Sequence, residues 1–322
     1  MEIFYLTLKQ MLMMFTMILV GFVLRKKQIV PDNAHITLAR LETFAFVPAL
    51  SLFNQMTQCT PETFKENASL FLYGLGIVLV AVLIAYPLSR LFIPKRLNSP
   101  ADNYQRNIFK YALTFGNYGF MGNFIILGVF GEAFFFRYSL FTFPLLAVGY
   151  SWGMFVLVPK EQNAGLLQSL KKGLLTPPMI SLVLGILLGL MNAKQYMPDF
   201  LMNAFGNASK CQGPVAMLLA GVVIGGYNFK ELIQNKKVYA VTAFRLILIP
   251  AVLVLALYAL GTSREIIIMA LVAFATPLGL NTIVYPAAYG GDTKTGASMA
   301  MISHALSVVT LPLMYLLLIV GI

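Results

Sequence analysis

One stretch near the middle of the chain limits what this sequence can fold into. It reads Phe115-Gly116-Asn117-Tyr118-Gly119-Phe120-Met121-Gly122-Asn123 and lies inside an apolar segment long enough to cross a bilayer. Its glycines disfavour a continuous helix, because glycine costs about 1 kcal/mol relative to alanine in a helix interior. We therefore predict that the helix breaks here. Inside a membrane, free backbone groups are tolerated only where they are buried in protein or line a cavity, so the break indicates a binding site.

A second interruption of the same kind occurs in the other half of the chain. It reads Thr276-Pro277-Leu278-Gly279-Leu280-Asn281-Thr282 and also lies inside an apolar segment. Two interrupted segments at corresponding places in two halves are typical of a secondary transporter with an internal repeat.

The composition places the chain in a membrane. Hydrophobic residues make up 59% of the 322 residues and charged residues 11%, whereas about 25% of the residues of a soluble domain are charged. The net charge of +11 comes from short basic clusters between apolar spans, which set orientation in a bilayer. We therefore expect the lipid bilayer, and not a nucleic acid, as the partner of this positive charge.

Ten apolar stretches approach the length of about 20 residues that a membrane-spanning helix needs. They are Phe4–Leu24, Ile36–Met56, Ser69–Phe92, Ile108–Phe130, Tyr138–Val158, Pro177–Met191, Phe200–Gly226, Val238–Leu260, Ile266–Tyr289 and Ala297–Val320. The sequence thus predicts an all-α polytopic membrane protein with ten transmembrane helices. Most Lys and Arg residues fall in one alternate set of connections, which is predicted to be cytoplasmic, so both termini are predicted outside.

The ten spans divide into two sets of five, and five is an odd number. The second set must then enter the membrane from the opposite side, so the prediction is two inverted five-helix repeats with broken, crossing helices four and nine. We assign residues 1–158 to the first repeat, 159–176 to a cytoplasmic linker and 177–322 to the second repeat. Pro48 and Pro214 occupy similar places in spans two and seven and are predicted helix breaks.

Glycines four residues apart predict close helix packing. They occur at Gly149 and Gly153, in residues 185–189 and in residues 221–225. Contacts within one chain are favoured, and a homodimer is left open. The two cysteines, Cys59 and Cys211, are expected to be free, although a disulfide between them is chemically permitted on the outer side.

The second half of a broken helix begins with free N–H groups and the positive end of a dipole, and both favour an anion. If the two broken spans cross at mid-membrane, these ends converge, and we expect a small organic anion as the substrate. Asn123 and Asn281 or Thr282 would cap the second halves. Asn117, Asn123 and Asn281 either contact the substrate or only cap the breaks. The full set of candidate binding residues is Asn117, Tyr118, Gly119, Gly122, Asn123, Pro277, Gly279, Asn281 and Thr282.

Few ionisable residues lie at membrane depth, where such groups are expensive. Arg245 would pair a substrate carboxylate, snorkel to the inner surface or meet a structural partner, and the last two are favoured. Arg40 and Glu42 are expected to pair or to lie at the interface. His304 is the candidate for proton coupling, against the alternative that it only joins helices by hydrogen bonds.

Enzyme and channel interpretations are less favoured. The chain has no His-Glu-x-x-His motif and no pair of aspartates at depth, as an intramembrane protease would need. It has no repeated carbonyl filter of the kind that channels use. No metal-ligand spacing is present either, so we expect no cofactor beyond a coupling proton, with sodium left open.

Several of these features together resemble one known family. The stretch from Gly116 to Gly122, the proline of span two, Pro177-Pro178, the segment from Arg245 to Pro250 and Thr310-Leu311-Pro312 resemble the bacterial branch of the auxin efflux carrier family. The glycine and asparagine stretch is the most specific element, and the likeness covers nearly the whole chain. Relatives commonly carry a proline where this chain has Asn123, which bears on the substrate more than on the fold.

The resemblance implies a fold similar to that of bile acid:sodium symporters. Spans one, two, six and seven would form a scaffold, and spans three to five and eight to ten a moving transport unit. Asn117 matches the asparagine of the fourth-span motif and Pro277 the crossover proline of the ninth.

The resulting hypothesis is a secondary active transporter that moves a small organic anion by alternating access. A dicarboxylate such as malate or malonate is the first expectation, with proton or potential coupling preferred over sodium, in a bacterial inner membrane. The alternatives are a membrane sensor or receptor on a transporter-like fold and an anion channel.

Overall fold

A computed structural model describes residues 2–97, 99–158, 166–288 and 291–320. Within these ranges the regular structure is helical, and the only strand-like pairing is an isolated antiparallel bridge between Gly116 and Leu278. The predicted all-α class is confirmed for this part of the chain. The first part of the predicted linker, residues 159–165, lies outside the described residues.

The described α-helices are numbered here in chain order. They are α1 (Glu2–Lys26), α2 (Ala34–Leu41), α3 (Val47–Gln58), α4 (Pro61–Asn67), α5 (Ser69–Phe92), α6 (Pro100–Thr114), α7 (Asn123–Tyr150), α8 (Trp152–Leu157), α9 (Leu166–Leu174), α10 (Pro177–Leu190), α11 (Asp199–Gly225), α12 (Phe229–Ile233), α13 (Lys236–Ala243), α14 (Ile249–Ala259), α15 (Arg264–Ala275), α16 (Asn281–Ala288) and α17 (Lys294–Tyr315). Wider π-helical turns extend or join several of them at Glu42–Phe46, Tyr118–Gly122, Phe244–Leu248 and Leu316–Val320.

Seven helical segments of the described residues are long and apolar enough to cross a bilayer. They are Phe4–Lys26, Ala34–Gln58, Pro61–Phe92, Tyr118–Leu157, Asp199–Gly225, Lys236–Ala259 and Lys294–Val320. Predicted spans four and nine are interrupted, and span six corresponds to α10, which has only 14 residues. The chain is therefore a multi-pass membrane protein, and the count of ten spans stays a prediction.

The longest of these segments contains two helices. Tyr118–Leu157 has 40 residues, which would measure about 60 Å as one α-helix, twice the thickness of the hydrocarbon core. Gly131 divides the segment with φ 80° and ψ −177°, a backbone conformation that residues other than glycine rarely adopt. The part before Gly131 continues the broken fourth span, and the part after it corresponds to the predicted fifth span.

Glycines bring helices of the two halves close together. A Cβ at Gly221 of α11 would collide with the Ile18 carbonyl of α1, and one at Gly185 of α10 would press against Gln55 of α3. Small residues at such contacts are typical of membrane helices. The predicted close packing therefore occurs within one chain. The two cysteines are free, with Cys59 buried and Cys211 exposed.

The predicted helix breaks at Pro48 and Pro214 are wrong. Pro214 lies inside the uninterrupted helix α11, and Pro48 follows the π-helical turn Glu42–Phe46 inside a segment that stays helical to Gln58. Proline lacks an N–H and its ring meets the carbonyl four residues earlier. A wider turn or contacts with neighbouring helices can accommodate this loss without ending the helix.

Candidate functional site

The first predicted break is present and begins at the end of α6. Phe115 leaves the helix with extended backbone angles, and helical geometry resumes at Tyr118. The Asn117 carbonyl accepts hydrogen bonds from the backbone N–H groups of Met121 (2.9 Å) and Gly122 (3.0 Å). The second half of the span therefore starts directly after Asn117.

The second predicted break is also present, between α15 and α16. Thr276 is extended, and α16 begins at Asn281. The hydroxyl of Ser303, on α17, accepts a hydrogen bond from the Leu278 N–H (3.0 Å). The Thr282 hydroxyl donates to the Gly279 carbonyl (2.9 Å). These contacts pair backbone groups that the interruption leaves without helical partners.

The two breaks are in direct contact through their main chains. Gly116 and Leu278 form the antiparallel bridge, and the Asn117 N–H donates to the Pro277 carbonyl at 2.7 Å. A Cβ on Gly116 would collide with the Arg245 guanidinium and the Thr276 hydroxyl, so glycine is the residue that fits this contact. The predicted meeting of the two broken spans is confirmed.

A small cavity of about 50 Å³ lies where the breaks meet, and we call it the crossover cavity. Its lining comes from both breaks and from the helices containing Val47 and Tyr150. The lining residues are Val47, Gly116, Asn117, Tyr118, Gly119, Phe120, Leu146, Gly149, Tyr150, Gly279, Leu280 and Asn281. The half-helix that follows each break begins at this cavity, which puts the positive ends of two dipoles beside it.

Five of the predicted binding residues line this cavity: Asn117, Tyr118, Gly119, Gly279 and Asn281. The other four, Gly122, Asn123, Pro277 and Thr282, are not among its lining residues.

Asn123 is not the cap that we predicted. It has helical backbone angles, one turn after the second half-helix has begun, and Asn117 occupies the N-cap position instead. Asn281 does begin α16, but its side-chain amide donates to the Tyr111 hydroxyl (2.9 Å).

Sequence reasoning missed Tyr111 and Tyr150. Tyr111 lies one helical turn before Phe115, and this placement was the available signal, because a side chain one turn before a break can reach across it.

Asn117 and His304 form a buried pair at the first break. The amide nitrogen of Asn117 lies 3.4 Å from His304 Nε2, and His304 Nδ1 lies 2.7 Å from the Ala300 carbonyl. A carbonyl only accepts hydrogen bonds, so in a neutral ring Nδ1 carries the hydrogen and Nε2 accepts from Asn117. The Asn117 side-chain oxygen is buried and has no partner among the described residues. One acceptor at the crossover is therefore available to a ligand.

Arg245 lies at the carbonyl end of α15. Its side chain is fully buried and donates to the carbonyls of Phe274 (2.5 Å) and Ala273 (3.3 Å). A cation at a helix C-terminus stabilises the negative end of the helix dipole. The prediction of a structural partner is confirmed, and the snorkelling alternative is wrong because the guanidinium does not reach the surface.

A larger cavity of about 520 Å³ opens near Arg25, and we call it the Arg25 cavity. Among its lining residues are Arg25 at the end of α1, Asp32 in the connection that follows, His35 of α2 and Ile283 of α16. Arg25 and Asp32 form an ion pair at 2.5 Å. Ile283 is two residues beyond Asn281, so this cavity approaches the crossover cavity from the side that carries the basic clusters.

Polar contacts join helices at the opposite ends of the first two spans. Gln10 donates to the Gly128 carbonyl (3.4 Å) and Asn54 to the Glu132 carbonyl (3.2 Å). Gln55 donates to the Ser139 hydroxyl (2.5 Å). Helices α1 and α3 are therefore joined to α7 on this side. On the other side, the Arg25 cavity lies between the ends of α1 and α11 and the segment that begins with α16.

Comparison with known proteins agrees with this geometry. A family model described as membrane transport protein matches residues 6–167 and 164–315. The chain belongs to the membrane transport protein family. This confirms the resemblance to auxin efflux carriers, and it identifies the chain as a transporter and not an enzyme. No curated protein matches the chain. In secondary transporters, substrate sites are typically formed by discontinuous helices of this kind.

Proposed function

We propose that this protein is a secondary active transporter that binds a small organic anion at the crossover cavity. The observation that carries the proposal is the hydrogen bond between the Asn117 N–H and the Pro277 carbonyl, which joins the two breaks. Because each break is followed by a half-helix, two electropositive N-termini begin beside one cavity. A carboxylate is the group that this arrangement stabilises best, and a dicarboxylate such as malate or malonate is the first substrate to test.

Alternating access is the proposed mechanism, with ten spans in two inverted repeats. The elements of spans one, two, six and seven would be the scaffold, and the elements that carry the two breaks would belong to the transport unit. The polar contacts of Gln10, Asn54 and Gln55 support a closed outer side, and the Arg25 cavity supports an open inner side. We therefore propose that the conformation is inward-facing, in a bacterial inner membrane with both termini outside.

The coupling force in this proposal is a proton gradient or the membrane potential. His304 and Arg245 stay candidates for coupling, but their contacts favour positioning roles. His304 fixes the Asn117 amide, and Arg245 fixes the end of α15.

Flux measurements in proteoliposomes test this function. We expect saturable counterflow of at least one member of a carboxylate panel. The Asn117→Ala variant should lower kcat/KM about tenfold or more, which corresponds to about 1.4 kcal/mol, because it removes a side chain at the half-helix start. Asn207→Ala is the matched control, because Asn207 is exposed on α11 and this change should leave flux at the wild-type level.

Three results would contradict the proposal. The first is transport of only cations or neutral solutes, which the two electropositive helix ends do not favour. The second is flux that rises linearly with concentration, as in a channel. The third is an Asn117→Ala variant that transports as well as Asn207→Ala.

A further inference from the structure

Glu42 is a buried carboxyl group that the proposed anion site does not use. It lies inside the membrane-spanning segment Ala34–Gln58 and has 0% exposure. Neither of its oxygens has a hydrogen-bond partner among the residues that the structure describes. An unpaired carboxylate in an apolar interior costs far more free energy than a neutral acid. The form that suits this environment is therefore the protonated one.

The elements packed around Glu42 offer no cation to compensate a negative charge. The π-helical turn that contains it packs against α2, α3, α10 and α11. Helices α3 and α10 contain no titratable residue. The charged residues of α11, Asp199 and Lys210, are in its first half. Because α11 runs antiparallel to the helix that contains Glu42, its second half lies level with Glu42. On α2, Arg40 is exposed, and His35 contacts the Asp32 carbonyl.

Glu42 occupies a position between the two cavities. His35 lines the Arg25 cavity and precedes Glu42 by seven residues, which is two helical turns and about 10 Å along the same face. Val47 lines the crossover cavity and follows Glu42 by about one turn of the widened helix. The residues between His35 and Glu42 on this face, Leu38 and Ala39, are apolar and partly buried. One face of this helix thus leads from the Arg25 cavity, past an unpaired acid, towards the proposed substrate site.

The local backbone sets Glu42 apart from an ordinary helical position. It is the first residue of the π-helical turn Glu42–Phe46, which precedes Pro48. Such turns widen the helix and free backbone carbonyls, and they are frequent at functional sites. An ionisable residue inside a membrane is by default a candidate functional site, and the widened turn adds a second reason to consider Glu42.

His304 is less suited to accept a proton. A protonated imidazole donates from both nitrogens, yet its Nε2 faces the donor nitrogen of the Asn117 amide. Charging the ring would therefore require the amide to turn over. Glu42 has two free oxygens and needs no such rearrangement.

We propose that Glu42 is the proton-binding site that couples anion flux to the proton gradient, an inference that rests on the proposed transport function. In the conformation described here the carboxyl is the neutral acid. When the transport cycle hydrates this face of the helix, the O–H bond breaks heterolytically, the proton passes to water of the Arg25 cavity, and the carboxylate remains. Return to the buried state requires a proton to bind again.

Infrared difference spectroscopy tests the proton site without any substrate. At neutral pH, the spectrum of the wild type minus that of Glu42→Gln should contain the C=O stretch of a protonated carboxyl group in an apolar environment. Glu66→Gln is the matched control, because Glu66 is exposed on α4 and should contribute a carboxylate signal only. If Glu42→Gln does not fold, Glu42→Met serves as the second neutral variant. Absence of the protonated band in the wild type would overturn the proposal.

Transport driven by a pH gradient tests the coupling. The wild type and Glu66→Gln should accumulate the anion in response to an imposed gradient, and Glu42→Gln should lose this accumulation entirely. Accumulation by Glu42→Gln equal to that of the wild type would overturn the coupling role even if the infrared band is present. If the wild type moves no anion while the band is present, the proposed transport function fails and the proton site remains.

Discussion

The break that follows α6 and the break that follows α15 are joined to each other, but different parts of the molecule hold them. At the second break, Arg245 binds the last carbonyls of α15 and Ser303 binds the Leu278 N–H. At the first break, the described hydrogen bonds bring no cation to the last carbonyls of α6. Its described side-chain hydrogen bonds come from neutral groups, including the amide of Gln212 on α11, which donates to the Gly119 carbonyl at 3.5 Å.

This difference assigns separate roles to the two breaks. A charged, fully buried anchor holds the second break in a fixed position within its own group of helices. Apart from its main-chain bond to Pro277, the first break is held by longer hydrogen bonds from neutral side chains, and it lies against α11, which would be a scaffold helix in the proposed mechanism. We infer that the first break adjusts when the substrate binds, whereas the second break keeps the pair of half-helices in register.

The largest effect is expected from the anchor of the second break. Arg245→Gln should lower the free energy of unfolding by about 3 kcal/mol, because two charge-assisted hydrogen bonds are lost and carbonyls are left buried. Arg40→Gln removes an exposed arginine and is the control. Denaturant unfolding in detergent measures both variants. Equal stability of the two variants would show that the second break does not depend on its cation.

A smaller effect is expected where the first break passes the second. Gly116→Ala should destabilise the protein by about 2 kcal/mol and reduce flux, because an added methyl group collides with Arg245 and Thr276. At Gly119, no heavy atom that a Cβ would meet lies within 4 Å of its position, so Gly119→Ala should not lower the melting temperature. Thermal unfolding of the two variants compares them directly. A Gly116→Ala protein as stable as Gly119→Ala would mean that the two main chains are not held as close as described.

The smallest effect concerns the neutral support of the second break. Ser303→Ala removes the acceptor for the Leu278 N–H and should cost about 1 kcal/mol. In contrast, the Ser307 hydroxyl bonds to the His304 carbonyl of its own helix and to no other helix among the described residues, so Ser307→Ala should cost less. Hydrogen exchange at the Leu278 amide sharpens the test, since Ser303→Ala alone should accelerate it. Unchanged exchange would assign the support of this segment entirely to Arg245.

The sequence predicted the breaks because glycine and proline act locally. Gly116 and Pro277 disfavour a helix whatever surrounds them, and both positions were found interrupted. Asn123 was predicted to be the N-cap because the break was expected to extend to Gly122, the last glycine of the stretch. Instead, the Asn117 carbonyl accepts hydrogen bonds from the N–H groups of Met121 and Gly122, and the helix resumes at Tyr118, five residues before Asn123.

Tertiary contacts explain what the sequence did not predict. Pro214 has the same local chemistry as other helix-breaking prolines, yet α11 continues through it within its packed surroundings. The position of Arg245 at the C-terminal end of α15 depends on how the segment that contains Arg245 packs against α15. Residue spacing along the chain does not predict this packing. Complete burial of Glu42 was likewise not predicted, because an acid near the end of a span normally reaches the interface.

The bridge between Gly116 and Leu278 uses main-chain atoms, so its geometry depends little on which side chains surround it. Val47 and Leu146 line the cavity but take no part in this bridge, and their replacement would leave it in place. Solute preference and mechanical integrity are thus separable in this architecture. Variant libraries that change the cavity-lining residues and keep Gly116 and Leu278 would be a practical route to permeases with new substrates.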